Sequence, residues 1–132
     1  MKKLILTIGL PRSGKSTWAS KQGCPVVNRD AIRLALHGQP YLQDAEDMVS
    51  SIEMYMVKSL FLGCHDTVIV DATHLKKKYR DRWECGSWEI QYHALDTPKD
   101  ICITRAKSDD KEYLIPIIER MSENVEWPND SD

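Results

Sequence analysis

A glycine-rich segment close to the N-terminus combines residue types that together bind phosphate groups. Gly9 and Gly14 flank four residues, and Lys15, Ser16 and Thr17 follow directly. Glycines let the backbone point its N–H groups at phosphate oxygens, the lysine supplies a cation for the β and γ phosphates, and the serine hydroxyl can ligate Mg²⁺. The spacing therefore predicts a site for ATP, or another nucleoside triphosphate, together with Mg²⁺. The predicted nucleotide-binding residues are Gly9, Pro11, Arg12, Ser13, Gly14, Lys15, Ser16 and Thr17.

An acidic residue at the end of an aliphatic run is a candidate metal ligand. Asp71 ends the run that begins at Thr67, where proteins with such a phosphate loop place an acid that binds Mg²⁺. We expect Ser16 and Asp71 to bind the metal, and Asp71 and Thr73 to lie beside the substrate. The alternative is that Asp71 only caps the turn after the strand.

A second acid, Asp30, follows another strand-like segment, which places it at the same sheet edge as the phosphate loop. A kinase that phosphorylates a hydroxyl needs a carboxylate to accept the proton and aim the oxygen. Arg33 lies one helical turn further on the same side and could bind an anionic part of the acceptor. The alternative is an acid at a helix N-terminus with a surface arginine. For His74, a solvated turn position is favoured over a substrate contact.

Short aliphatic runs alternate with amphipathic segments along the chain. The predicted strands, where β-branched and aliphatic residues cluster, are residues 3–8, 25–28, 67–71 and 89–95. The predicted helices are residues 15–21, 30–36, about 45–62 and 75–83, and two more that begin near Pro98 and Pro116. This alternation predicts an α/β fold of the three-layer P-loop NTPase/kinase type, with a small, mostly parallel sheet flanked by helices. Its ligand would lie beyond the carboxyl ends of the strands.

Length and composition restrict the class of protein. The 132 residues fit a single domain, predicted at 1–127, and a tail at 128–132 that is expected to be disordered. The formal net charge of −2 provides no global positive field, so nucleic-acid binding would need a local basic patch. No apolar run is long enough to cross a bilayer, and the four scattered cysteines argue against a zinc site. A cytoplasmic protein is therefore expected.

The motifs together resemble the polynucleotide 5′-hydroxyl kinase branch of the P-loop kinases, typified by the kinase domain of bacteriophage end-healing enzymes. Besides the phosphate loop, the resemblance rests on Asn28-Arg-Asp30 with Arg33 and on Asp71-Ala-Thr73. It also rests on Leu95-Asp-Thr-Pro98, which leads into Ile103-Thr-Arg105, and on a helix that begins at Pro116. It extends over nearly the whole chain. The phosphate loop is generic, whereas the combination of Asn28-Arg-Asp30 with Asp71-Ala-Thr73 is more specific to this branch.

The resemblance implies a role for each matching residue. Asp30 would be the general base, Arg33 would contact the acceptor phosphate, and Asp71 would support the metal and the acceptor. Arg105 would belong to a lid over the phosphates. The residues with an implied catalytic role are Lys15, Asp30, Arg33 and Arg105.

Two departures from the family pattern concern arginines. Arg12 occupies a loop position where the family commonly has glycine. The family's second lid arginine, which stabilises the transferring phosphoryl group, has no counterpart at 106–112. Lys107 or Lys111 could substitute for it, although lysine lacks the arginine fork. Arg12 could also replace it from within the loop.

A basic segment, Lys76–Arg82, follows the acceptor-side motif, contains Tyr79 and precedes Trp83. It could track a phosphate backbone and stack a base, or it could form a solvated helix face. The leading prediction is a kinase for a hydroxyl of DNA or RNA, most simply a 5′-OH end, or for a modified base. The alternatives are a small-molecule or nucleoside kinase, favoured by the net charge and small size, and a nucleotide-binding switch or inactive homologue, favoured by the altered lid.

Overall fold

In the computed structural model, which describes residues 1–39 and 42–128, a parallel sheet is flanked by helices. The strands are β1 (Lys3–Ile8), β2 (Val26–Asn28), β3 (Thr67–Asp71) and β4 (Glu89–Ala94). The helices are α1 (Lys15–Ser20), α2 (Arg29–His37), α3 (Glu46–Leu62), α4 (Lys77–Asp81), α5 (Lys99–Ser108) and α6 (Ile115–Ser122), with 3₁₀ turns at Gln43–Ala45 and Glu112–Leu114. The predicted α/β fold is confirmed, while residues 129–132 of the predicted tail lie outside the described residues. Among the described helices, none has the length and apolar character needed to cross a bilayer.

The helix boundaries follow from the residues at their ends. α2 begins where the Asn28 side chain accepts a hydrogen bond from the Ala31 N–H at 2.8 Å, and it ends at Gly38, whose φ is 67°. An amide oxygen at the N-cap and a left-handed glycine after the last turn satisfy backbone groups that a helix leaves unpaired. α4 is shorter than the predicted 75–83, because Lys76 is extended and Leu75 packs into the core.

The sheet brings the functional segments to one edge. The strand order is β2-β3-β1-β4, and all neighbouring strands are parallel. In the register, Ile8 of β1 pairs with Ala94, and Asn28 of β2 pairs with Asp71 of β3. The segments that follow β1, β2 and β3 therefore meet beyond the carboxyl ends of the strands, where ligands of such sheets bind.

The core packs mainly on one face of the central strand. Leu4 and Leu6 are fully buried on that face, in a cluster with residues of α2 and α3 and with Trp83, which is 0 % exposed. On the opposite face, Trp18 of α1 stacks on His93 of β4, with ring centroids 3.6 Å apart. Helices therefore cover both faces, as the long aliphatic run of β1 requires.

A buried glutamate links three helices. Glu53 of α3 is 1 % exposed, and its Oε1 accepts hydrogen bonds from Arg29 Nη1 at 2.9 Å and from Arg82 Nη1 at 2.8 Å. Ser50 extends the network, since its hydroxyl accepts from Arg29 at 3.0 Å and its carbonyl accepts from Arg82 at 2.9 Å. A carboxylate inside a protein needs such partners, so these charges hold the start of α2 and the end of α4 against α3.

The end of β1 holds the segment that follows β3. Thr7 is buried; its hydroxyl donates to the Ala72 carbonyl at 2.8 Å and accepts from the Ala72 N–H at 3.1 Å. The Gly9 N–H donates to the Thr73 carbonyl at 3.1 Å. The predicted substrate-side residue Thr73 is thus attached to the start of the phosphate loop.

His74 completes this attachment. Its Nδ1 lies 2.8 Å from the Thr7 carbonyl oxygen, and the side chain is 5 % exposed, so the predicted solvated turn position is wrong. The short turn after β3 directs the ring back under β1, where it can hydrogen-bond the backbone. Burial lowers the pKa of His74 to about 4; the hydrogen bond to Thr7 opposes the shift and nearby cations add to it.

Replacing Glu53 with alanine should lower the free energy of unfolding by about 3 kcal/mol, because two arginines would lose their shared counterion in a buried position. Urea denaturation measures the change. The control is Glu84→Ala, which removes an exposed glutamate beyond the end of α4 and should change stability by less than about 0.5 kcal/mol. Equal effects of the two substitutions would contradict a stabilising role for the network.

The lowered pKa of His74 predicts that the protein loses stability in mild acid. Between the unfolded pKa of 6.5 and the folded pKa of about 4, the unfolded chain binds more protons than the folded one. The contribution is therefore complete above pH 6.5 and is lost as the pH falls towards 4; at pH 5 the loss is about 2 kcal/mol. Unfolding free energies measured from pH 7 to pH 5 should show this slope in the wild type and in His65→Gln, which alters an exposed histidine. An undiminished slope in His74→Gln would refute the assignment.

Candidate active site

Residues 9–14 connect β1 to α1 and form the loop predicted to bind phosphate. A Cβ atom at Gly9 would lie 2.6 Å from Ser13 Oγ and 2.9 Å from the Leu95 carbonyl oxygen, so only glycine fits there. Gly14, the N-cap of α1, has φ 104°, which L side chains rarely adopt. The Ser13 hydroxyl is buried and has no hydrogen-bond partner among the described residues. A tight turn with an unsatisfied buried hydroxyl is expected where an anion supplies the missing acceptor.

Lys15 opens α1 and is buried, and its Nζ donates to the Leu10 carbonyl at 2.8 Å. Burial lowers the pKa of Lys15, while the negative charges of Asp71 and Asp30 oppose the shift. An ammonium group withdrawn from water interacts more strongly with a phosphate than an exposed one does. The other predicted loop residues surround it: Pro11 and Arg12 are half-buried, and Thr17 is exposed on α1.

Asp71 gathers donors from two neighbouring elements. Its Oδ2 accepts hydrogen bonds from the Ser16 hydroxyl at 2.6 Å and from Asn28 Nδ2 at 2.8 Å. The structure therefore brings together the two predicted metal-site residues, Ser16 and Asp71. Asn28 has two functions, because its Oδ1 also caps α2. The role of Thr7, whose hydroxyl donates to the carbonyl of Ala72 directly after Asp71, was not predicted. A polar residue within the aliphatic run of β1 was an available signal for it.

Asp30 and Arg33 lie together on the first turns of α2, as their spacing predicts. The Asp30 side chain is largely exposed, and its Oδ1 accepts from Arg33 Nη1 at 2.6 Å. Glu46, at the start of α3, accepts from Arg33 Nε at 3.0 Å and from Nη2 at 2.6 Å. This glutamate was missed, since nothing in the local sequence links it to Arg33.

The charges of this group stabilise one another. Burial tends to lower the pKa of Arg33, but the hydrogen bonds and charges of Glu46 and Asp30 outweigh it and raise that pKa. Burial likewise tends to raise the pKa of Glu46, but Arg33 and Arg29 outweigh it and lower that pKa. Arg33 is thus a permanent cation that α3 holds beside Asp30.

The end of α5 contacts the phosphate loop. Arg105 Nη1 donates to the Arg12 carbonyl at 3.2 Å, and Arg12 forms an ion pair with Asp109. The Thr97 hydroxyl, just before α5, donates to the Ser13 carbonyl at 2.8 Å. Arg105 and Thr97, which both lie in segments that carry the family resemblance, are therefore beside the loop, while Asp109 belongs to no motif that the sequence reveals.

The basic segment Lys76–Arg82 divides between the core and the surface. Trp83 and Arg80 are buried, and Arg80 Nη1 donates to the His74 carbonyl at 2.9 Å. Arg82 binds Glu53. The suggestion that Trp83 stacks a base is therefore wrong, because its ring belongs to the hydrophobic core, and Arg80 and Arg82 have structural partners.

The exposed part of this segment borders a cleft of about 240 Å³. The residues that line it include Thr73, Leu75, Lys76, Tyr79, Arg120 and Asn124. Lys76 Nζ donates to the Asn124 carbonyl at 2.6 Å, which joins the two sides of the cleft. Through Thr73 the cleft adjoins the phosphate loop, so basic and aromatic side chains lie next to the candidate site.

Comparison with known proteins supports this arrangement of motifs. A candidate bifunctional polynucleotide kinase/RNA ligase of Autographa californica nuclear polyhedrosis virus is 28% identical over 137 residues, which cover 87% of this chain and 19% of that protein. A chain in a solved Pnkp1/Rnl/Hen1 complex has a TM-score of 0.69 and 26% identity, covering 79% of this chain and 38% of the other. The resemblance to polynucleotide kinases is confirmed by these two findings.

Two further structures show the fold. A chain of the Pnkp1/Rnl/Hen1 RNA repair complex has a TM-score of 0.69 at 18% identity and covers 95% of this chain and 46% of its own length. A gluconokinase from Sinorhizobium meliloti 1021 has a TM-score of 0.65 at 21% identity, with coverages of 97% and 77%. This chain thus spans about a fifth of the viral relative and less than half of each repair-complex chain.

A protein family described as an AAA domain matches residues 4–112. The matched region contains the phosphate loop, Asp30, Asp71 and Arg105. Because the match extends over most of its length, the chain belongs to this AAA domain family.

Proposed function

We propose that the protein transfers the γ-phosphoryl group of ATP to a hydroxyl of a nucleic acid, most simply a 5′-OH end. The observation that carries the proposal is the meeting of three groups beyond the ends of β1, β3 and β2. These are the phosphate loop, the Asp71–Ser16 pair and the exposed carboxylate of Asp30. The first two suit a nucleotide, and the third suits a hydroxyl acceptor. The viral relative named for polynucleotide kinase supports nucleic acid as the acceptor class.

The nucleotide site would also hold Mg²⁺. The Ser16 hydroxyl and the Asp71 carboxylate are hard oxygen ligands of the kind Mg²⁺ prefers, and their oxygens are 2.6 Å apart. Asn28 holds the carboxylate in place from the other side. These residues therefore fit the metal, which when bound supplies positive charge to the β and γ phosphates. Lys15 would add a second cation beside the same phosphates.

Asp30 would act as the general base. The acceptor oxygen forms a bond to the γ-phosphorus while the bond from that phosphorus to the bridging oxygen of ADP breaks. The hydroxyl proton passes to the Asp30 carboxylate. Arg33, held by Glu46, orients that carboxylate through its 2.6 Å hydrogen bond and presents positive charge to an anionic acceptor. The exposure of Asp30 leaves room for a large acceptor. Arg105 would contact the phosphates of ATP from the lid side of the phosphate loop.

The cleft beside Thr73 favours a nucleic acid over a small molecule. Lys76 and Arg120 can pair with backbone phosphates, and the half-exposed ring of Tyr79 can stack a base. A single sugar or nucleoside has no chain of phosphates to meet these groups. The cleft would therefore bind the strand that continues from the acceptor hydroxyl.

A small-molecule kinase is the second candidate. The net charge of −2 favours it, and the fold is shared with a gluconokinase. The cleft beside Thr73 would bind the strand of a nucleic-acid acceptor but would contribute nothing to a small acceptor. Comparing acceptors of different length therefore distinguishes the two candidates.

Asp30→Asn should lower kcat about 10²–10⁴-fold, because the amide cannot accept the hydroxyl proton. The assay is transfer of labelled γ-phosphate to 5′-OH oligonucleotides, duplexes with hydroxylated bases, nucleosides and gluconate. Asp47→Asn, which alters an exposed acid in the first turn of α3, is the control. Full turnover by Asp30→Asn would show that Asp30 is not the base. Transfer only to nucleosides or gluconate would favour the second candidate, and hydrolysis alone would favour a nucleotide switch.

Arg120→Gln should raise the KM for a 5′-OH oligonucleotide and lower the dependence of log KM on log salt by about 0.7, the value for one phosphate of a single strand. The KM for a nucleoside should not change, since it has no phosphate to reach Arg120. Lys58→Gln, which removes an exposed lysine from α3, is the matched control. If the two variants give the same salt dependence, the cleft does not bind the acceptor strand.

A further inference from the structure

Arg12 adopts a backbone conformation that side chains resist. It lies in the phosphate loop with φ 67°, in the left-handed region that favours glycine. Asp110, directly after its ion-pair partner Asp109, also has a positive φ, 56°. Positive φ angles thus occur on both sides of one contact, and the one at Arg12 is the more costly because aspartate adopts this region more readily than arginine does. Strain of this kind concentrates at functional sites.

The end of α5 fixes Arg12 at two points. Asp109 lies one helical turn after Arg105 and pairs with the Arg12 guanidinium, while Arg105 Nη1 donates to the Arg12 carbonyl at 3.2 Å. The side chains of Arg12 and Asp109 remain 33% and 43% exposed, so their ion pair adds little to folding stability. The effect of the pair is to fix the position of the guanidinium at the loop.

Arg12 retains donors that can reach a ligand. A guanidinium has five N–H groups, and the ion pair uses only part of them. The Nε–H group is buried and has no hydrogen-bond partner among the described residues, and the same holds for the hydroxyl of neighbouring Ser13. Two adjacent loop residues thus present buried polar groups to an acceptor, and phosphate oxygens are strong acceptors for both.

The charge of Arg12 also lies close to the nucleotide site in the chain. Arg12 precedes the buried Lys15 by three residues, at the junction between the phosphate loop and α1. An anion that binds Lys15 would be attracted by Arg12 as well.

We propose that Arg12 is a catalytic residue that binds the transferring phosphoryl group, and that Asp109 positions its guanidinium. The proposal rests on the proposed function, since it concerns the same ATP site. The Nη2 group of the guanidinium pairs with Asp109, while its remaining N–H groups donate to phosphoryl oxygens. No bond to Arg12 forms or breaks: the phosphorus leaves ADP for the acceptor oxygen, the proton passes to Asp30, and Arg12 stabilises the charge on the phosphoryl oxygens.

Asp109 makes the proposal specific. A carboxylate close to a triphosphate repels it unless a cation pairs with that carboxylate. Loss of Arg12 alone leaves Asp109 unpaired at the site, so loss of both should be less harmful than loss of Arg12. An ion pair that only supported the fold would not produce this order in ligand binding.

The test compares wild type, Arg12→Gln, Asp109→Asn and the double variant in titrations with MgADP, alone and with aluminium fluoride as a mimic of the transferring group. Arg12→Gln should weaken binding of the fluoride complex about 100-fold and that of MgADP less than about threefold. The double variant should bind the fluoride complex about threefold more tightly than Arg12→Gln does, or better, because the two residues are in contact and their effects are coupled. Arg12→Lys should restore only part of the lost affinity, since lysine cannot donate two parallel hydrogen bonds as a guanidinium does. Lys21→Gln, which removes an exposed lysine after α1, should bind both ligands as the wild type does.

Three outcomes would overturn the proposal. One is equal weakening of MgADP and the fluoride complex by Arg12→Gln; another is a loss of thermal stability without selective weakening. The third is selective weakening by Lys107→Gln in place of Arg12→Gln, which would assign the contact to the lid lysine. If Arg12→Gln does not fold, Arg12→Gly serves instead, because glycine suits φ 67°.

These titrations need no acceptor, so they separate this proposal from the function itself. A wild type that transfers phosphate to no hydroxyl would contradict the proposed function, while the selective loss in Arg12→Gln would still assign Arg12 to the phosphoryl group. Conversely, the wild type could phosphorylate oligonucleotides while Arg12→Gln keeps the same kcat and the same affinity for the fluoride complex. That result would contradict only the role of Arg12.

Discussion

The buried carboxylate of Asp71 accepts hydrogen bonds from Ser16 and Asn28 through a single oxygen, and the relative positions of three elements depend on it. A carboxylate at that depth needs donors, so β2 has to end beside β3 and α1 has to begin above them. The parallel register supplies the first donor by pairing Asn28 with Asp71. The turn after β1 supplies the second by bringing Ser16 across from the neighbouring strand. The phosphate loop and the acceptor side are thus positioned by the same group.

Much of the fold and of the site could be predicted because the signals are local or follow from one rule. The glycines, lysine and serine of the loop are contiguous in sequence, and the aliphatic runs of β1 and β3 are unambiguous. Asp30 and Asp71 could be placed near the loop because parallel strands end at one edge. Their roles in catalysis stay predictions, since geometry alone does not test a proton transfer.

The partners that fix these side chains could not be predicted, since they lie far away in sequence and carry no motif. Glu46 binds Arg33 from the next helix, and Asp109 binds Arg12 from α5. Neither acid differs from a surface acid in its local sequence. The chemistry-bearing residues were therefore easier to find than the residues that hold them.

The basic segment after β3 shows how a run of one charge can serve two purposes. Arg80, in the last turn of α4, and Trp83, in the turn that follows the helix, are both buried in the protein interior. Arg82 is drawn to Glu53, a buried acid whose position only the packing of α3 determines. The remaining cations stay at the surface beside Tyr79. Counting charges along the segment overestimates the part of it that is free to meet a ligand.

The two polar atoms of the Asn28 side chain make different interactions. Its oxygen caps α2, and its nitrogen donates to Asp71. Hydrolysis of this amide in an ageing sample would convert it to a carboxylate, which can still cap a helix. The same change would place a second negative charge against Asp71, and two adjacent carboxylates disfavour each other's ionised form. Chemical damage to one amide would therefore spare the helix and impair the site, so a preparation could remain folded while it lost competence to bind the proposed Mg²⁺.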